Sequence, residues 1–117
     1  MPGSIWPALP AAGTIIRSMY HCVILFRLKP GVPLDRVRGA RRALQALVET
    51  LPGVEHFTVT HNTAADSGGF NLALFSVFES HNACEIFLRH PEYRRVREQE
   101  LGPVVEKHLV AQGEPEA

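Results

Sequence analysis

With 117 residues, 45% of them hydrophobic and 21% charged, the chain has the size and balance of one globular domain with one core. Twelve Lys and Arg against twelve Asp and Glu leave no formal net charge, which argues against a broad surface for nucleic acid or an acidic membrane. Two cysteines, Cys22 and Cys84, are too few for a disulfide framework and read as small core hydrophobes of a reducing, cytoplasmic compartment; no apolar run approaches the roughly 20 residues of a membrane helix.

Residues 1–18 are rich in Pro, Ala and Gly, with Arg17 as their one charge. They lack the basic start and unbroken apolar centre of a secretory signal. The expectation is an unstructured leader, or sequence upstream of a natural start at Met19, with Ile5, Trp6 and Leu9 as anchors if it is ordered. Residues 20–29, Tyr-His-Cys-Val-Ile-Leu-Phe-Arg-Leu-Lys, are β-branched and aromatic, and Pro30-Gly31 closes them: a strand and a turn. From Pro33 to Thr50, apolar residues at Leu34, Val37, Ala40, Leu44, Leu47 and Val48 follow helical spacing until Pro52-Gly53. Gly39 beside Ala40 thins that helix. Val54–His61 alternates as a strand, residues 62–69 form a loop ending in Gly68-Gly69, and Phe70–Phe78 is a second strand, the pair reading as an antiparallel hairpin. Ser80 is suited to cap a helix carrying Ala83, Ile86 and Phe87 on one face. Pro91 breaks that helix at His90 and starts another over Glu92 to about Glu100, and Gly102-Pro103 ends it. Glu106 to Gln112 reads as a last strand, and residues 113–117 as a frayed tail.

The order strand, helix, strand, strand, helix, strand predicts an α+β, ferredoxin-like βαββαβ protomer with a four-stranded antiparallel sheet, spanning residues 19–112. Two helices cover one face of such a sheet, yet both alternating sets are apolar. Cys22, Ile24, Phe26 and Leu28 form one set of the first strand, with His21, Val23 and Leu25 opposite; Leu72, Leu74 and Phe78 stand against Ala73, Phe75 and Val77 in the third. A second copy packed sheet to sheet is the simplest cover, so a homodimer is expected.

These residues resemble the stress-responsive dimeric α/β-barrel family. The likeness runs through Tyr20-His21-Cys22-Val23-Ile24-Leu25-Phe26-Arg27-Leu28-Lys29-Pro30-Gly31, Leu51-Pro52-Gly53-Val54, Gly69-Phe70-Asn71-Leu72, Phe78-Glu79-Ser80 and Phe87-Leu88-Arg89-His90-Pro91-Glu92-Tyr93. The resemblance implies two sheets closing into a dimeric α/β barrel. It also implies, from a plant branch similar to olivetolic acid cyclase, a pocket between sheet and helices served by a first-strand His and a His-Pro-x-His motif. His21 matches the first histidine, and His90-Pro91 opens the motif. Tyr93 replaces its second histidine, Phe87 stands for an aromatic Tyr, and Asn71 stands where that branch has a third-strand histidine.

On that reading His21 lies on the helix side with Val23 and Leu25 and acts as general base, with Tyr93 and Asn71 polarising a carbonyl and His90 orienting them. Val23, Leu25, Ala73, Phe75, Leu44 and Phe87 line the pocket for a hydrophobic, oxygenated ligand. Each residue also has a plainer role: His21 as a core-rim histidine bonded to backbone, His90 as the cap of the restarted helix, Tyr93 as a buried phenol, Asn71 as a strand start. His56 and His61 face opposite sides of one strand, and His81 and His108 are expected in solvent. No metal-ligand or phosphate-loop motif is present, so no cofactor is expected. Arg36, Arg38, Arg41 and Arg42, and Arg89, Arg94, Arg95 and Arg97, read as solvated helix faces, or more weakly as guides for a carboxylate or coenzyme A ester. Three functions follow: a cofactor-free cyclase-like or isomerase-like enzyme; a non-catalytic stress-linked or ligand-binding dimer, with the interior filled by Leu44, Phe75, Phe87 and Val96; and, on fold alone, a monooxygenase-like protein.

Overall fold

The computed structural model describes residues 19–115. The expected leader, with Ile5, Trp6 and Leu9, lies outside them. Strand β1 runs Tyr20–Leu28, helix α1 Leu34–Ala46 with a 3₁₀ turn Leu47–Glu49, β2 Val54–His61 and β3 Phe70–Phe78. Helix α2 covers His81–Arg89, and α3 covers Pro91–Arg95 and continues as a π-helical turn over Val96–Leu101; β4 is Val105–Gly113. The sheet is antiparallel in the order β2-β3-β1-β4. This is the ferredoxin-like α+β fold. Among the described residues no helix is long and apolar enough to cross a membrane.

The punctuation in the sequence sets these boundaries. Gly53 sits at φ +85°, where a side chain would be strained, and its carbonyl accepts the Glu79 amide at 3.0 Å. The Ser80 hydroxyl accepts the Ala83 amide at 3.0 Å and starts α2. Pro91 needs no amide partner at the first position of α3, and the His90 ring supplies the cap beside it.

Alternate residues of the strands point into the helix layer. Cys22, Ile24 and Phe26 from β1, Leu72, Leu74 and Phe78 from β3, and Phe57 and Val59 from β2 meet Ala40, Leu44 and Leu47 of α1, Cys84 and Phe87 of α2, and Tyr93, Val96 and Leu101 beyond. Among the described residues Ser76 is the one buried polar side chain on this face, and its hydroxyl donates to the Cys22 carbonyl at 2.7 Å. Gln45 of α1 reaches the outer edge of β2. Its Nε2 donates to the Phe57 carbonyl at 2.9 Å, and its Oε1 accepts the Val59 amide at 3.0 Å. β4, at the other edge, is exposed along almost its whole length on both faces.

Two irregularities lie where β1 meets its neighbours. The register steps past Asn71 in β3 and past Glu106 in β4.

Candidate functional site

The sheet divides the residues expected to share one pocket. Because Tyr20, Cys22, Ile24 and Phe26 point inward, His21, Val23 and Leu25 face away from the helices, on the open side. This corrects the placement of His21 on the helix side: parity gives the inward position to Cys22. Ala73 and Phe75 accompany His21 on the open face, whereas Leu44, Phe87 and Tyr93 lie across the sheet in the core. The ligand-lining set Val23, Leu25, Ala73, Phe75, Leu44 and Phe87 therefore does not form one pocket within the protomer.

On the open face the register builds rows across the strands. His56, Val77, His21 and Gly113 make one; Thr58, Phe75, Val23 and Ala111 the next; Thr60, Ala73, Leu25 and Leu109 a third. The middle of the face is apolar, with Phe75 49% and Leu109 47% exposed. The β2 margin carries His56, Thr58 and Thr60. His21 lines a cavity of ≈310 Å³ with Val23, Ala111 and Glu114.

On the helix side the expected cavity is occupied. Leu44, Phe87 and Val96 are almost wholly buried, and the Phe87 ring lies 5.5 Å from Phe57, 5.3 Å from Phe78 and 5.5 Å from Tyr93. Phe75, expected among the fillers, is not with them. Burial pushes the Tyr93 phenol up to about 12, with the Arg97 guanidinium pulling the other way, so the hydroxyl stays protonated and is no base near neutral pH.

The other two candidates are engaged with the backbone. His90 Nδ1 accepts the Glu92 amide at 3.1 Å and caps α3, which leaves the ring proton on Nε2. Asn71 Oδ1 accepts the Leu28 amide at 3.2 Å and bridges the irregular end of the β1–β3 pairing. Asn71 also borders a cavity of ≈420 Å³ with Leu28, Val37 and His61. Among the described residues no group of His, Cys, Asp and Glu side chains forms a metal-binding set.

Two features escaped the reading of the chain. Cys22 and Cys84, far apart in sequence, are free thiols buried together in the core where α2 meets β1. The neighbouring Cys84 holds the Cys22 thiol below its ordinary value, while Cys22 and burial push Cys84 up. The second is a cavity of ≈310 Å³ between the π-helical turn and β4, floored by Phe26, Leu101 and Val105 and bordered by Arg97 and His108. The cysteines could be found as inward positions once strand parity was known. The cavity depends on the register step at Glu106 and on the π turn, neither of which leaves a mark in hydrophobic spacing.

The stress-responsive A/B barrel domain pattern matches residues 19–113. The chain belongs to the stress-responsive A/B barrel domain family. Solved structures agree on the fold. A protein of this family from Mesorhizobium loti is 18% identical, with 86% of this chain and 99% of that one aligned at a TM-score of 0.75. A dimeric ferredoxin-like protein from Thermobifida fusca is 18% identical over 82% of this chain and 90% of that one, at 0.71. A hydroxynitrile lyase from Passiflora edulis is 16% identical over 86% and 96%, at 0.76. No curated protein matches the chain in sequence.

Proposed function

We propose that this A/B barrel domain chain works as a homodimer closed through its open sheet face into a dimeric α/β barrel, and that it binds a small hydrophobic molecule without cyclase-like acid–base chemistry. One observation speaks against that chemistry: the sheet stands between His21 and Tyr93. A base and a polarising phenol on opposite sides of a sheet cannot approach one ligand in the same protomer. The dimer is supported by the uncovered apolar rows around Phe75 and by the dimeric state of the Thermobifida fusca neighbour. Two buried free thiols suit a reducing, cytoplasmic setting. Nothing in the fold favours the monooxygenase-like alternative over either.

The test is solution mass by light scattering on the full chain and on Phe75→Asp. The expected wild-type mass is twice that of the chain, and the variant runs at chain mass with an unchanged far-ultraviolet spectrum. A wild type that stays at chain mass at high concentration refutes the dimer. Turnover of a linear poly-β-ketone that is lost in Tyr93→Phe refutes the non-catalytic part.

A second reading rests on the cavity at His21. With Glu114 and Val23 it places a titratable ring in an apolar hollow that a partner sheet would roof. The Passiflora edulis neighbour is a lyase on the same fold. Base-catalysed turnover lost in His21→Leu and kept in Tyr93→Phe selects this reading.

A further inference from the structure

We propose that Cys22 of β1 and Cys84 of α2 are a reversible oxidation site, at which a hydroperoxide joins the two thiols of one chain into a disulfide that ties α2 to the sheet. The site stands apart from the dimer and from the ligand-binding reading, and its failure would leave both in place.

The fold lays the two elements side by side. β3 and β4 both run antiparallel to β1, so the helical connection between them returns along the sheet in the direction of β1. α2 comes within 8 Å of β1, Cα to Cα. Where both elements start, the Tyr20 ring stacks on the His81 ring, with centroids 4.6 Å and planes 19° apart. The next residue on that face of β1 is Cys22, roughly 7 Å further on. The next on that face of α2 is Cys84, three residues and ~4.5 Å along the axis. Similar steps from one stacked pair set the cysteines against each other. Both are free thiols in one core cluster, 1% and 0% exposed.

Cys22 also sits in a polar row. Its cross-strand neighbours are Ser76 on β3 and Gln112 on β4, whereas Ile24 in the next inward row lies between Leu74 and Val110. Cys84 holds the Cys22 thiol below its ordinary value, and Ser76 and Gln112 act in the same direction against burial. Cys84 is pushed up, by Cys22 and by burial. Cys22 is therefore the nucleophile of the pair and Cys84 the resolving thiol. Gln112 also marks the way in. It is exposed on the edge strand, where Val110 on the same face is 48% exposed, so a small oxidant at that edge is one side chain away from Cys22.

The chemistry balances with a hydroperoxide alone. The Cys22 thiolate attacks one peroxide oxygen and the O–O bond breaks, giving a sulfenic acid. The hydroxide or alkoxide that leaves takes up the proton Cys22 had lost. The Cys84 sulfur then attacks the sulfur of the sulfenic acid. The S–S bond forms, the S–O bond breaks, and the departing hydroxide leaves as water with the Cys84 proton. Two thiols are oxidised and one peroxide is reduced. A small thiol reopens the bond by exchange, and a reducing compartment keeps the pair open between exposures.

The experiment treats the full, folded chain with hydrogen peroxide in native buffer and follows its intact mass without reductant. The chain is expected to become about 2 Da lighter with no covalent link between chains, and the Cys22 and Cys84 peptides to stay joined until dithiothreitol is added. The oxidised chain is expected to melt roughly 5 °C or more above the reduced one. Cys84→Ala is expected to leave Cys22 as a sulfenic acid that dimedone labels, and Cys22→Ala to leave Cys84 unlabelled. Both replacements are small and apolar, and the wild-type mass decides the pairing if either variant fails to fold. Thiols that stay free in the folded chain, a joined pair seen only in urea, or a gain of about 32 Da on either cysteine in place of the joined pair overturns the site. A joined pair that melts no higher than the reduced chain overturns the tie between α2 and the sheet. Dimedone on Cys84 in Cys22→Ala overturns the division of roles.

Discussion

Leu74 and Phe75 are neighbours in β3, and both are large and apolar, yet Leu74 is 1% exposed and Phe75 is 49% exposed. The same contrast runs along the whole sheet. One face is sealed by α1, α2 and α3 from the same chain; the other has no cover of its own. Hydrophobicity alone does not distinguish an interior made by the protomer from one that a second protomer would complete. What distinguishes them is which energetic cost appears when a side chain is cut back.

Leu74→Ala should therefore show the largest effect. It empties space in a filled interior and is expected to cost about 2–5 kcal/mol in urea unfolding, at any protein concentration. Phe75→Ala is the counterpart. Its cost should be large where the protein is dimeric and fade on dilution, since in an isolated protomer the ring is half in water. A Phe75→Ala penalty that ignores concentration would remove the distinction between the two faces.

The next effect belongs to the covered side. The Tyr93 phenol ionises near 10 when unfolded and near 12 when folded. Its contribution to stability is thus whole below pH 10 and is lost as the pH climbs through about 12, at about 1.4 kcal/mol per unit of that difference. Tyr93→Phe should flatten the alkaline fall of the melting temperature relative to wild type. The same slope in both proteins would mean that this phenol is in water.

The smallest effect is expected on the open face. In the isolated protomer, at concentrations low enough to dissociate the dimer, His21→Leu should change the unfolding free energy by no more than about 0.5 kcal/mol, as surface substitutions do. A loss several times larger would return His21 to the interior.

The fold was legible in the sequence because its boundaries are chemical. Pro30-Gly31, Pro52-Gly53, Gly68-Gly69, Ser80 and Pro91 each mark an end that the structure keeps. The orientation of β1 was not legible. With Cys22, Ile24 and Phe26 on one side and Val23 and Leu25 on the other, both parities bury hydrocarbon, and His21 followed the wrong one. The candidate site was less legible still. His90 and Asn71 have polar side chains suited to catalysis, but a backbone amide occupies one atom of each. Arg97, one arginine among many on a helix, comes to border a cavity with His108 only once β4 is laid beside the π turn.

A newly synthesised protomer meets a race set by its sheet edges. Gln45 plugs the outer edge of β2, but β4 offers nine residues of backbone with Leu109 and Val110 bare on its two faces. Such a strand templates the addition of any extended chain that reaches it, and Lys107 is the only cation along it to discourage the match. Conditions that favour lone protomers, such as dilution with denaturant or a substitution at Phe75, therefore favour off-pathway strand polymers, and a soluble yield that falls with such variants would trace to β4 rather than to the core.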